Sequence, residues 1–323
     1  MIDTTELSAL RLTVFALALA LLATSSAGCA ASHHPTTEAT LGQSSSSSRM
    51  LAALAEPGPT TVRTVVSADW EVPLSGLLNL DHERAVAAGL EDRTEPIHVF
   101  MHVVEHPEFG TYLIDSGIAE SFRDPATDPH LGFIVAKAMN TDALVVRKTT
   151  AEWMREAGTT PAGVFLTHIH LDHILGLPDL PKDTPVYTGP AETGAHKATN
   201  LVSAGTTDRL LAGLGALREW QFRPDPDGMF DGVVDVFGDG SLWALHVPGH
   251  SPGSTAFVAR TADGPVLMVG DASHTAWGWT HGVEPGTFSD DGPRSAASLA
   301  RLRELAARFE SMDVRLGHQH LES

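Results

Sequence analysis

Cysteine is all but missing from this chain of 323 residues: Cys29 is the only one, so no disulfide can form within the chain. Basic residues are scarce as well, 21 Lys and Arg against 40 Asp and Glu, for a formal net charge of -19. No Lys/Arg-rich patch interrupts that excess, and an anionic surface repels a phosphate backbone, which argues against a nucleic-acid partner. The apolar run at residues 12–23, broken only by Thr13, is shorter than the roughly 20 residues a permanent membrane helix needs. There is no internal repeat, no phosphate-binding G-x-x-x-x-G-K loop and no dinucleotide fingerprint. The acidic, glycine-rich stretch 225–240 lacks the ligand spacing of a calcium loop and reads as turns.

The N-terminus reads as an export signal. The apolar run leads to Ser26, Ala27 and Gly28, small residues ahead of Cys29. A cysteine at that place resembles the lipid-modified residue of a bacterial lipoprotein, which would anchor the protein to a membrane of the cell envelope. Plain export to the periplasm or the medium is the alternative. Two features depart from the lipoprotein pattern: Ser26 stands where leucine is usual, and Asp3 and Glu6 offset Arg11. Residues 1–29 are set apart accordingly as a signal peptide. Residues 30–60 read as a flexible linker, because the serine run 44–48 with Pro35, Pro57 and Pro59 opposes a packed core. His33 and His34 fall in it as a solvated pair. The remainder, 61–323, is long enough for one large α/β core.

Chemistry concentrates in His168-Ile169-His170-Leu171-Asp172-His173. Three imidazoles and a carboxylate within six residues are the ligands that borderline divalent metals such as zinc prefer. Val164-Phe165-Leu166-Thr167 just ahead reads as a buried strand, so the cluster sits where a strand runs into a loop and side chains can converge. A His-rich surface loop is the plain alternative, and the spacing argues against it. Other strands end in the same way. Residues 242–247 lead to Pro248-Gly249-His250-Ser251-Pro252-Gly253-Ser254, 265–269 to Gly270-Asp271-Ala272-Ser273-His274, 313–316 to Gly317-His318-Gln319-His320, and 112–114 to Asp115. A polar residue at the end of strand after strand is how a rigid scaffold presents a constellation on its loops.

These motifs, in this order over about residues 95 to 320, resemble the metallo-β-lactamase superfamily. H-x-H-x-D-H is the specific element; P-G-H-S-P-G-S and G-D are weaker alone. The resemblance implies an αββα sandwich, two mixed sheets packed face to face with helices outside and the site along one edge. It implies two divalent metal ions, zinc first, with manganese, cobalt or iron as alternatives. His168, His170 and His250 would hold one ion, Asp172, His173 and His318 the other, and Asp271 would bridge them. Asp115 would support the loops without binding metal. The partner is then a small carbonyl substrate, attacked by a hydroxide formed between the ions while one of them polarises the carbonyl oxygen. Asp172 would orient that hydroxide and Asp271 would carry the proton to the leaving group. Ser251 and Ser254 read as structural.

Many β-lactamases of this superfamily have cysteine in the second site; Asp271 instead resembles lactonases, hydroxyacylglutathione hydrolases and related ester or thioester hydrolases. The quorum-quenching lactonases place a tyrosine three residues beyond that aspartate, where this chain has His274. Three roles are open for it: a donor to the oxyanion or leaving alkoxide, an extra metal ligand, or a packed residue. Trp277-Gly278-Trp279 could line an apolar wall or lie in the core. The expected activity is hydrolysis of a small lactone, ester or thioester. A β-lactamase-type amide hydrolase, a diiron oxidoreductase of the same fold and a non-catalytic binding lipoprotein are the alternatives; the full set of seven ligands argues against the last.

Several smaller expectations can be checked against structure. His318 is preferred to His320 as a ligand because it follows the strand end. His246 should lie within a strand and point into the sandwich. His98, His102 and His106 should lie along a strand without forming a site. Residues 61–72, 97–105 and 111–114 read as strands. Thr149 and Glu152 form a capping box for a helix that stops at Gly158, and 290–312 carries Leu299, Leu302, Leu305 and Phe309 as a core-facing helical stripe. Residues 131–136 read as a packed helix, with a lid or a dimer contact as alternatives.

Overall fold

The computed structural model describes residues 29–124, 130–197 and 200–321; of the export signal expected at 1–29, all but Cys29 lies outside them. Side chains of a strand point to opposite faces in turn, so a strand apolar at every position must be covered on both sides. Val103, Leu113 and Val164 pack outward in one cluster, while their neighbours Val104, Ile114 and Phe165 turn inward. Trp243 and Leu245 likewise face outward toward Leu299, Leu302 and Leu305, and Leu242 and Ala244 face inward. Two sheets thus share an inner apolar layer and carry helices on their outer faces, the expected αββα sandwich.

The larger sheet has eight strands in the order Thr36–Glu38, Leu217–Glu219, Val186–Thr188, Gly163–Phe165, Gly110–Ile114, Thr94–His106, Thr61–Pro73 and Val145–Val146. Toward the end opposite Thr36–Glu38 lies a long antiparallel pair, Thr61–Pro73 with Thr94–His106, bulged between Val66 and Ala68. Gly163–Phe165 runs parallel to Gly110–Ile114, which brings the ends carrying Asp115 and the His168 segment side by side. The six-stranded sheet runs Asp313–Arg315, Gly264–Met268, Thr255–Thr261, Leu242–His246, Gly232–Asp235 and Gln43–Ser44. Asp313–Arg315 is parallel to Gly264–Met268, so the loops bearing His318 and Asp271 also leave at one edge.

The helices follow their local signals. Thr149 and Glu152 make the reciprocal capping box of Thr150–Ala157, and Gly158 closes it at φ 63°. Asp291 caps Gly292–Ala307 through the Arg294 amide, and Leu299, Leu302 and Leu305 are buried. Residues 131–136 overlap the helix Phe133–Ala138, which buries Val135 and leaves Phe133 and Ile134 exposed. Among the described residues no helix is long and apolar enough to cross a membrane.

The linker reading of 30–60 is overturned. Thr36–Glu38 is the edge strand beside Leu217–Glu219, Gln43–Ser44 pairs with Gly232–Asp235, and helix Ser47–Leu54 buries Met50 and Leu54. The serines act as caps rather than spacer: the Ser46 hydroxyl accepts from the Arg49 amide, and the Ser47 amide and hydroxyl both donate to Asp225. His33 and His34 are likewise pinned, to Asp208 and to the Gly215 carbonyl. Asp225 is the turn residue that receives this helix, and the expected turns give way to strand at Gly232–Asp235.

Candidate metal centre

Each ligand-bearing loop is fixed by local chemistry before any metal is considered. Asp115 follows its strand in the left-handed region, at φ 58°. Its carboxylate accepts from the Thr167 amide at 2.8 Å and the Thr167 hydroxyl at 3.0 Å, and it meets His173 Nδ1 at 2.8 Å. The expected support role of Asp115 therefore has a geometry: it turns the His173 ring so that Nε2 faces the edge. His250 lies where Gly249, at φ 143°, lets the chain pass under helix Gly292–Ala307; a side chain there would meet the Ser295 amide at 2.3 Å. Gly317 serves the same purpose beside Asp271, whose Oδ1 lies 2.3 Å from where a Cβ would stand.

The expected ligands converge. His168, His170, His250 and Asp271 form one group of donor atoms, and Asp172, His173, Asp271 and His318 form a second, with all atoms in a group within 4.8 Å of one another. Asp271 belongs to both. Its Oδ2 lies 3.3 Å from His173 Nε2, 3.3 Å from His250 Nε2 and 3.6 Å from His168 Nε2, and its Oδ1 lies 3.3 Å from His318 Nε2. Asp172 Oδ2 is 3.2 Å from His318 Nε2. Most members are buried; His170 and Asp172 are half-buried.

The donor chemistry fits divalent cations. His168 Nε2 and His250 Nε2 face each other at 3.2 Å, a contact that two neutral acceptor nitrogens avoid unless positive charge lies between them. His173 Nε2 and Asp271 Oδ1 are buried and make no hydrogen bond among the described residues. Nitrogen and oxygen donors without thiolate suit zinc and its neighbours. Electrostatics divides the two groups. Burial, with His173 and His170 close by, pushes His168 well below its ordinary value. Burial also opposes the charged form of His318, but Asp271 and Asp172 outweigh it and raise its pKa to about 10. His173 is raised in the same way, against burial, by Asp271 and Asp115. Burial works against the Asp172 carboxylate, yet His173 and His318 bring it down to about 2.

His274 also reaches the centre, with Nε2 3.1 Å from Asp271 Oδ2 and Nδ1 2.9 Å from the Leu77 carbonyl. A carbonyl only accepts, so the proton of a neutral ring sits on Nδ1 and Nε2 presents a lone pair. The Asp271 carboxylate also only accepts, so Nε2 turns a lone pair to it only where a cation lies between them, and either way the contact opposes the packed-residue role. His320 stays outside, against Phe100 and His98 at 5.0 and 5.5 Å between ring centroids. His246 lies in its strand, stacked on Phe222. Trp279 is a core residue, and Trp277 is half-buried and stacks on His281.

One residue escaped the sequence reading. Glu192, buried, accepts from the Ile169 amide, the Ser251 hydroxyl and the Gly253 amide. It ties the His168–His173 loop to the His250 loop and explains Ser251 as structural. Its one signal was position: like the ligands, it follows a strand, Val186–Thr188.

This edge, with its two overlapping donor groups, marks a metal-dependent hydrolase of a known kind. The family model of the metallo-beta-lactamase superfamily matches residues 95–318, and the chain belongs to that family. It is 30% identical to the N-acyl homoserine lactonase AttM of Azorhizobium caulinodans over 237 residues, 69% of this chain and 81% of that one. A shorter stretch of 74 residues is 45% identical to the hydroxyacylglutathione hydrolase of Salmonella paratyphi B, covering 22% of this chain and 27% of that one. Among solved structures, a quorum-quenching N-acyl homoserine lactone lactonase shares the fold, with a TM-score of 0.56 at 18% identity over 81% of this chain and 93% of that one.

Proposed function

We propose that this enzyme binds two zinc ions and hydrolyses a small lactone, with esters and thioesters as related substrates. The observation that carries the reading is the Asp271 carboxylate set between two complete donor groups. A lone Cys29, far outside the site, leaves no thiolate for the second group. The AttM relative, similar across 81% of its length, is by name an N-acyl homoserine lactonase, which supports a lactone ahead of a thioester as the substrate of this chain. When bound, the two ions polarise the substrate carbonyl and lower the pKa of an attacking water.

The protein's own part is positioning and proton transfer. His168, His170 and His250 would hold one ion through imidazole nitrogens; Asp172, through its carboxylate, with His173 and His318 would hold the other. Asp172, half-buried and braced by His318, orients the water at its free carboxylate edge. Asp271 accepts the proton released in the attack and returns it to the leaving alkoxide. Asp115 and Glu192 touch no reacting atom and fix the loops.

Metal analysis joined to a hydrolysis screen over acyl lactones, thioesters and β-lactams tests this. Two zinc per chain, loss of lactone hydrolysis on chelation and its return with zinc, cobalt or manganese are expected. Full lactonase activity in thoroughly demetallated protein, or iron with oxidase activity and no hydrolysis, would overturn it.

A further inference from the structure

We propose that His274 is itself a metal ligand, an eighth donor whose Nε2 faces the centre because its Nδ1 is tied to the Leu77 carbonyl. The inference rests on the reading of this edge as a metal centre and reassigns the one residue that could instead have served as a hydrogen-bond donor.

The first argument is the tautomer. Ligating histidines almost always donate the other ring N–H to a carbonyl, carboxylate or hydroxyl, which turns the free lone pair toward the metal. Four of the expected ligands follow that rule here. His318 Nδ1 is 2.8 Å from the His98 carbonyl, His173 Nδ1 is 2.8 Å from Asp115, His250 Nδ1 is 3.2 Å from Ser289, and His168 Nδ1 is 3.1 Å from the Thr167 hydroxyl. His274, with Nδ1 2.9 Å from Leu77 O, has the same arrangement as His318, carbonyl for carbonyl. The two rings lie nearly parallel, 14° between planes and 5.5 Å between centroids, on either side of Asp271.

The second argument is repulsion. Nε2 of the neutral ring and Oδ2 of Asp271 stand 3.1 Å apart, nearer than any other imidazole is to that oxygen in the contacts given above. Two lone pairs do not face each other at that distance in a buried site unless positive charge stands between them. Either a cation lies there or the ring carries a second proton. A ring that served as an oxyanion donor would need that second proton; a ligand needs none. His274 is 1% exposed, so the contact lies away from bulk solvent.

The experiment compares the holoenzyme with His274→Gln and His274→Ala, reading zinc content, zinc affinity by competition with a chromophoric chelator, and the visible spectrum of the cobalt-substituted protein. Glutamine keeps an N–H donor and should rescue a donor role, but it replaces a strong nitrogen ligand poorly. Expected are a fall in affinity for at least one ion by 10-fold or more in both variants, taking the outer-shell losses of roughly 10–100-fold as a floor, and altered cobalt bands. Both metals bound within twofold of the parent's affinity, with unchanged cobalt bands, would overturn the inference and leave the metal centre standing. A parent that binds no metal at all would overturn both. Circular dichroism of each variant separates these outcomes from misfolding, and His274→Asn supplies a second substitution if His274→Ala does not fold.

Discussion

Two sets of histidines run through this molecule, and apart from the half-exposed His98 they share burial and little else. On the strand Thr94–His106, His98, His102 and His106 recur every fourth residue. A strand advances about 3.3 Å per residue, so successive rings stand about 13 Å apart on one face. Each finds a different partner: Asp69 for His98, Thr64 for His102, Asp239 for His106. At the sandwich edge, five rings from four separate loops surround the single carboxylate of Asp271. The chain reverses at each strand end, and that reversal brings distant residues within a few ångströms. The proton affinities then diverge. His102, buried beside Arg315, is pushed down to about 3. His318, equally buried, is raised to about 10 by the carboxylates facing it. Burial alone does not decide whether an interior imidazole is charged; the carboxylates around it do.

Removing the shared carboxylate is the strongest way to break this contrast. Asp271→Asn keeps the shape and removes the charge that both donor groups use. Metal content should fall in both, and lactone hydrolysis should drop by more than the ~10²-fold that outer-shell losses bring. His106→Gln, its counterpart on the strand, should leave metal content at the parent's level. Two ions retained in Asp271→Asn with activity within tenfold of the parent would show that the edge is not organised around one carboxylate.

A smaller effect is expected one step away from the metal. Asp115→Asn leaves every ligand in place but weakens the hold on His173 Nδ1 and on Thr167. Affinity for the ion bound by Asp172, His173 and His318 should fall by about 10–100-fold, and the ion bound by His168, His170 and His250 should be affected less. Stepwise metal titration checks this. Equal losses in both steps would mean that Asp115 acts through the stability of the whole loop rather than through the His173 ring.

How much of this was legible beforehand follows from the range of the forces involved. The seven donors that converge at the edge were readable because each lies next to a strand end, and a strand end is a local signal. The capping box at Thr149 and the stripe of Leu299, Leu302 and Leu305 were readable for the same reason. Glu192 was not, because nothing near it in sequence shows that its carboxylate will meet Ile169, Ser251 and Gly253. The segment 30–60 misled because serine and proline are common both to linkers and to caps. Only the distant partners Asp225 and Leu217–Glu219 reveal which applies. His274 could be placed near Asp271 from spacing, but its tautomer depends on the Leu77 carbonyl, 197 positions away.

The strand histidines allow the last and smallest test, through pH. His102 has a folded-state pKa of about 3, below its ordinary 6.5, chiefly through burial and then through Arg315. The unfolded chain therefore takes up a proton between those values that the folded chain refuses. Stability contributed by keeping His102 neutral is fully present above pH 6.5 and is lost as pH falls toward 3, by at most about 1.4 kcal/mol per pH unit for one proton. Other side chains of the unfolded chain titrate over the same range, so the informative quantity is the difference between parent and His102→Gln, each demetallated and unfolded with urea at pH 7 and at pH 5. Glutamine does not titrate and can still bond Thr64, so the variant should lose less stability than the parent across that interval. Equal losses would show that His102 takes up its proton without unfolding. The strand set would then no longer contrast with the edge set in its proton affinity, and only the geometric half of the comparison would remain.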